Sequence, residues 1–197
     1  MIRAFIALDI ADNLRTEIAQ VITGLRAQTG RSVRWVDPKN IHLTLKFLGD
    51  TPPANVKFLS QMLRSIADTQ SAFEMQLADL GVFPNPNRPR VIHLEVHQIP
   101  ALRALQLAVE LAAAKLNYPA ETRPFSPHFT LGRVRQPLSA ADLQQLRSAL
   151  QSLKLPNLPK VRIEELVLFQ SDLTPQGPIY SRLSAATFNH LPESSLP

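Results

Sequence analysis

The strings Ile41-His42-Leu43-Thr44-Leu45-Lys46-Phe47-Leu48 and Pro127-His128-Phe129-Thr130-Leu131 share one pattern, His-x-Thr-apolar. The copies lie 128 − 42 = 86 positions apart. In a strand, residues i and i+2 point to the same face. His42 and Thr44 then share one face, and Leu43, Leu45 and Phe47 share the other. His128 and Thr130 likewise stand over Phe129 and Leu131. Each strand presents an imidazole beside a hydroxyl on an apolar back. Brought side by side, they make one site with two His and two Thr. Chance gives two such strings among five His with odds on the order of one in 200.

The flanking sequence supplies the rest of a sheet. Ile2 to Leu8 is a short apolar run of the buried-strand kind. Leu14, Ile18, Val21, Ile22 and Leu25 recur at helical spacing until Gly30 stops them, with Asp9 or Asp12 as cap. Val33 to Val36, Ile41 to Leu48, Phe73 to Leu80 and Val91 to Val96 read as strands. Val161 to Phe169 and Ile179 to Phe188 do too. Further helices are expected over Val56–Ile66, over Leu102–Leu116 with Leu107 and Leu111 in its apolar stripe, and after Ser139 with Leu143, Leu146 and Leu150. Residues 191–197 are expected to fray. Some strands are adjacent in sequence and others alternate with helices, so the class is α+β with a largely antiparallel sheet.

Composition narrows the function. The chain has 197 residues, 45% hydrophobic and 19% charged, an ordinary globular balance. Cysteine is absent, which excludes a disulfide scaffold, a thiolate metal site and a Cys nucleophile. The six glycines form neither a G-x-G-x-x-G nor a Walker string. No run approaches the roughly 18 apolar residues of a membrane span, and the N-terminus lacks a signal peptide's apolar region. A cytoplasmic protein is expected. The formal charge of +5 favours a polyanionic partner. Arg31, Arg34, Lys39 and Lys46 surround the first motif, and Arg88 and Arg90 sit on a proline-rich loop.

Two imidazoles suit acid–base work. An unperturbed pKa near 6.5 lets one be neutral and the other protonated near pH 7. A base and an acid on opposite sides of a phosphorus atom can activate water and protonate the leaving oxygen. Threonine hydroxyls donate to phosphate oxygens. A single His-x-Thr is equally a strand histidine satisfied by a neighbour. His93, Glu95 and His97 alternate onto one face of their strand. That is either a solvated face or a set of three metal ligands.

The paired motifs resemble the two-histidine (2H) phosphoesterase superfamily. Arg34 to Gly49 and Arg123 to Arg133 look like the two motif blocks of its RNA 2′,3′-cyclic phosphodiesterases, also called 2′-5′ RNA ligases. Phe5-Ile-Ala-Leu8, Gly81-Val-Phe-Pro84, Pro89-Arg-Val91 and the segment Ser171 to Leu183 match as well. The resemblance implies a single bilobed unit over residues 1–197, with two pseudo-symmetric lobes, each an antiparallel sheet with outer helices. The histidines would face the groove between them. It implies hydrolysis of RNA 2′,3′-cyclic phosphate ends to 2′-phosphomonoesters by a monomer without metal or cofactor. His128 would be the proton acceptor and His42 the proton donor. Thr44, Thr130 and Arg133 would hold the phosphate. Phe5, Phe47, His93 and Arg90 are candidate substrate contacts, although Phe5 and Phe47 are also expected in the core. Relatives often carry an aromatic residue where this chain has His93. Alternatives are 2′-5′ ligation, another cyclic-nucleotide phosphodiesterase activity, a non-catalytic RNA-binding module, or a metal hydrolase on His93 and His97.

Overall fold

A computed structural model describes residues 1–175 and 177–189; the expected fraying of 191–197 lies outside the described residues. The strands are β1 (Ile2–Leu8), β2 (Val33–Trp35), β3 (Leu43–Thr51), β4 (Phe73–Met75), β5 (Leu77–Phe83), β6 (Val91–Val96), β7 (His128–Val134), β8 (Val161–Ile163), β9 (Glu165–Thr174) and β10 (Gly177–Thr187). The helices are α1 (Asp12–Thr29), α2 (Val56–Ala67), α3 (Pro100–Lys115) and α4 (Ala140–Ser152). Local chemistry sets their limits. The Ser139 side chain accepts from the backbone N–H of Asp142, capping α4, and α1 stops at Gly30 with φ of 55°. The expected Phe73–Leu80 strand divides into β4, which pairs only with β8, and β5 in the main sheet.

The main sheet has eight strands in the order β10-β9-β1-β3-β7-β6-β5, with β2 also paired to β7. The described pairings are antiparallel. The sheet consists of two four-stranded halves, joined between β3 and β7 at the pair Leu43 and Phe129.

The 86-residue spacing of the motifs extends to the whole register. In one half, Phe5, Ile6, Ala7 and Leu8 lie opposite Phe47, Lys46, Thr44 and Leu43. In the other, Val91, Ile92, His93 and Leu94 lie opposite Arg133, Gly132, Thr130 and Phe129. Each second residue follows its mate by 86 positions (91 − 5 and 133 − 47). The same bulge recurs, with Leu45 the extra residue in β3 and Leu131 in β7. The third strands cross over. Phe83, Val82 and Gly81 of β5 pair with β6, while Phe169, Leu168 and Val167 of β9 pair with β1. Each half of the sheet therefore contains strands from both halves of the sequence. This is the expected two-repeat α+β fold, with its repeats interleaved.

One face of the sheet carries the main core. Ile6, Leu8, Leu43, Ile92, Leu94, Phe129, Leu131, Leu166 and Leu168 are buried there with residues from all four helices. Burying each such side chain stabilises the fold by roughly 1.5–3 kcal/mol before entropy is counted. Leu102, Leu105 and Val109 form the inner stripe of α3, but Leu107 and Leu111 are exposed, 54% and 59%. A stripe of about 100° buries only part of a helix circumference, and α3 has more leucines than it can bury. The opposite face of the sheet carries a small separate cluster of Phe5, Ala7, Val167 and Phe169, with Tyr180 against it.

Candidate active site

Both motif histidines stand at the start of their strands and are held alike. His42 Nδ1 lies 2.7 Å from the Asn40 carbonyl oxygen, and His128 Nδ1 lies 2.8 Å from that of Ser126. A carbonyl only accepts, so each Nδ1 carries the proton and donates it. In the neutral ring Nε2 is then the basic nitrogen, and in the charged ring it is the acid. The two strands run antiparallel about Leu43 and Phe129, so each histidine comes at the end of its strand where the other strand carries its threonine.

Rings pack around each imidazole. Phe5 lies 4.7 Å from the His42 ring, centroid to centroid, and Tyr180 meets it edge-on at 5.1 Å. Phe169 stacks on Phe5 at 5.2 Å. Around His128, Phe83 lies edge-on at 5.0 Å and His93 at 5.2 Å, and Phe83 stacks on His93 at 3.9 Å. Phe83 and Phe169 are mates in the repeat (169 − 83 = 86). His93 instead occupies the position of Ala7. Gly81 lies opposite it, and a Cβ there would come within 2.4 Å of His93 Nε2. The missing side chain makes room for the extra imidazole.

The bulges decide what else reaches this face. Strict alternation from His128 and Thr130 would turn Arg133 to the core side. The extra residue Leu131 brings it back, opposite Val91 and Arg34. In β3 the extra residue Leu45 puts Phe47 opposite Phe5, with the rings 6.3 Å apart. Phe47 and Arg133 are thus repeat mates on the open face. Phe47 is 70% exposed, which corrects its expected place in the core. The same bulge turns Lys46 inward. Its Nζ binds Glu110 Oε2 at 2.7 Å and the Pro119 carbonyl at 2.8 Å. Lys46 therefore does not belong to a cationic site. Arg34 and Arg133 stand directly opposite each other and both are exposed, so an anion between them would relieve their repulsion.

Burial governs the titration of the rings. Desolvation lowers His42 to about 4, although the Asn40 carbonyl and the Asp9 carboxylate raise it. His93 is also lowered to about 4, by burial and then by His128. His128 is lowered by burial and, further, by Arg133. The Tyr180 hydroxyl is raised by burial, against Arg133 and Arg3. Both motif histidines are therefore neutral in the empty site near pH 7.

The remaining candidates divide. Phe5 is 3% exposed, so it packs against His42 and offers no open surface to a base. His93 is 1% exposed beneath Phe83, which corrects the expected solvated strand face. Its Nδ1 is buried, and the Val91 backbone raises its titration against that burial. His93, Glu95 and His97 form no metal-ligating group among the described residues. Arg90 is exposed at the end of the proline-rich loop, where its backbone bonds Phe83 and Val134. Thr44 and Thr130 are half-buried, in register with Ala7 and His93 on the open face. Sequence reading missed Tyr180, Phe83 and Phe169. Their strands are far from the motifs in the chain, and only the crossover of β5 and β9 and the pairing of β10 bring them in.

Two imidazoles among hydroxyls and arginines on one open face suit a phosphate ester, and the similarity to known proteins points to the same class. The chain belongs to the LigT-like phosphoesterase family, whose sequence profile matches residues 8–93 and again 94–180. The two matches start 94 − 8 = 86 positions apart, the period of the sheet register. The chain is 33% identical over 180 residues to the RNA 2′,3′-cyclic phosphodiesterase of Methanothermobacter thermautotrophicus, covering 91% of this chain and 95% of that protein. It is 31% identical to the protein of that name from Archaeoglobus fulgidus, covering 92% and 97%. The structure of E. coli LigT complexed with 3′-AMP superposes with a TM-score of 0.73 at 26% identity, covering 96% and 99% of the two chains. A Thermus thermophilus structure superposes at 0.80 with 24% identity, covering 96% and 99%, and shows the shared fold. No described helix is long and apolar enough to cross a membrane.

Proposed function

We propose that the chain hydrolyses RNA 2′,3′-cyclic phosphate ends to 2′-phosphomonoesters, with His128 and His42 as base and acid. The observation that carries this is the shared anchoring of the two rings. Each Nδ1 donates to a carbonyl two residues back, which leaves Nε2 as the nitrogen for proton transfer. The relatives' name supplies the substrate.

In the proposed cycle His128 Nε2 takes a proton from the attacking water as its oxygen bonds to phosphorus. The bond from phosphorus to the 3′ oxygen breaks, and His42 Nε2–H protonates that oxygen. A proton relayed through solvent resets the pair. Each transfer contributes typically 10²–10⁴-fold. A ring lowered to about 4 carries almost no proton to give near pH 7 in the empty site. The bound phosphate anion raises it, so the acid forms when substrate arrives. Thr44 and Thr130 hydroxyls donate to the phosphate oxygens, and Arg133 offers a two-pronged contact. Exposed Phe47 supplies a stacking surface for the terminal base. The two imidazoles provide both proton transfers, so no metal or cofactor is required. Residues 1–197 act as one unit in this reading, a cytoplasmic monomer whose single site draws on both repeats.

The test is product analysis on an end-labelled RNA carrying the cyclic phosphate, with chelator present. Formation of a 2′-phosphomonoester supports the reading. A 3′-phosphomonoester, or turnover only with added metal, overturns it.

A further inference from the structure

The loop that carries His42 is clamped from behind. Arg15 of α1 directs Nη1 at three carbonyl oxygens of that loop: Pro38 at 3.2 Å, Lys39 at 3.1 Å and Ile41 at 3.1 Å. These residues bracket Asn40, whose own carbonyl orients the imidazole. The other prong of the guanidinium, Nη2, is held by Asp9 Oδ1 at the end of β1. Asp9 Oδ2 in turn meets Arg182 at 3.3 Å, and Arg182 meets Glu165 at 2.5 Å. The Arg15 and Asp9 side chains are only 16% and 19% exposed, so the pair is shielded from solvent screening. Asn40 Nδ2 adds a bond to the Pro178 carbonyl, next to the strand residues around Tyr180.

Among the described residues, the second repeat lacks this device. Glu95 occupies the position of Asp9 (95 − 9 = 86), but Ala101 occupies that of Arg15 (101 − 15 = 86). Glu95 is exposed and lies 3.8 Å from His93 Nε2. The approach to His128 rests on the Val96 N–H to the Pro127 carbonyl and on Gln98 to the Phe125 carbonyl, at 3.2 and 3.5 Å.

The geometry points to Arg15 and Asp9 as positioning residues for His42: the guanidinium fixes the loop that aims the imidazole, and the carboxylate fixes the guanidinium. The inference rests on the proposed role of His42. Only the planar fork of arginine reaches both the carbonyl cluster and the carboxylate; a lysine supplies one point charge. The pair also acts on the ring electrostatically, because Asp9 raises its titration and Arg15 lowers it. The other groups facing His42 are His128 on β7, the Tyr180 hydroxyl on β10 and the uncharged rings of Phe5 and Phe169.

Three variants of the full chain test this: Asp9→Asn, Arg15→Met and Arg15→Lys. The readouts are kcat and KM on a cyclic-phosphate RNA, and the titration of the His42 ring by NMR in the free protein. Misplacing a reacting group by about 1 Å costs on the order of 10²-fold. All three variants are expected to lose about 10- to 100-fold in kcat with KM nearly unchanged. The His42 titration is expected to rise in Arg15→Met, fall in Asp9→Asn and stay near wild type in Arg15→Lys. Unchanged kcat in Asp9→Asn and Arg15→Lys, or titrations that move the same way in Asp9→Asn and Arg15→Met, would overturn the inference. If Arg15→Met does not fold, the other two decide it by kcat and by the fall in Asp9→Asn. If wild type fails to turn over the RNA while the titrations move as expected, the loop clamp stands and the activity reading falls.

Discussion

Leu43 lies directly across from Phe129, and among the described residues this is the one Cα pair between β3 and β7. Both side chains are fully buried. The two halves of the sheet, each with one His-x-Thr motif, are thus aligned at a single point of register. The antiparallel direction there sets the two histidines diagonally across the pair, the arrangement that the proposed acid–base roles of His42 and His128 require.

Phe129→Ala should strike stability and alignment together. Emptying a buried phenylalanine site typically costs about 3–5 kcal/mol. Urea unfolding should show that loss. In the fraction still folded at low urea, kcat should fall as well, although Phe129 touches no substrate. A variant destabilised to this extent with wild-type kcat would show that the pair does not set the site.

Stability should depend on pH between about 4 and 6.5. His42 and His93 titrate at about 4 in the folded chain and near 6.5 when unfolded. Over that window the unfolded chain binds more protons, so stability is full above 6.5, falls as the pH drops, and levels off below 4. The loss is on the order of 3 kcal/mol for each ring. Denaturant unfolding at several pH values measures it. His93→Phe should flatten the slope by one ring's share, and an unchanged slope would refute the burial argument for His93.

Thr44→Val and Thr130→Val keep shape and remove the hydroxyl. Loss of a hydrogen bond to a charged group is worth roughly 1.5–3 kcal/mol. Each variant should therefore lose about 10- to 150-fold in kcat/KM at constant thermal stability, with inorganic phosphate inhibiting more weakly. Phosphate inhibition equal to wild type in both would remove the threonines from the anion site.

Lys46→Met leaves Glu110 buried with its cation gone. Breaking one side of a buried pair typically costs about 3–5 kcal/mol. Replacing both, Lys46→Met with Glu110→Leu, should recover most of it. Thermal unfolding of the single and double variants checks this, and a single variant as stable as wild type would contradict the placement of Lys46.

The repeat itself was legible because period-two alternation over His42, Leu43 and Thr44 is short and local, and so were both histidines and their apolar backs. What followed was not. One extra residue at Leu45 and at Leu131 inverts the side chains that come next. Alternation thus puts Phe47 in the core and Lys46 outside, whereas the sheet does the reverse. His93 reads as solvated because alternation reports a face but not what covers it, and the cover is Phe83 from the neighbouring strand. Tyr180 and Phe169 join His42 through strand pairing over more than a hundred positions, which no local spacing encodes. The Arg15 clamp is equally silent, since an arginine one turn into a helix reads as ordinary surface charge.

Whether His42 and His128 work as one acid–base unit is decided by single-turnover hydrolysis of a cyclic-phosphate RNA by His42→Ala, His128→Ala and the double variant. Groups that act as a unit are strongly non-additive. Each single variant is expected to lose at least about 10²-fold with its fold intact, and the double variant little more than the worse single. Near-wild-type turnover in either single variant, or losses that multiply in the double, would contradict it.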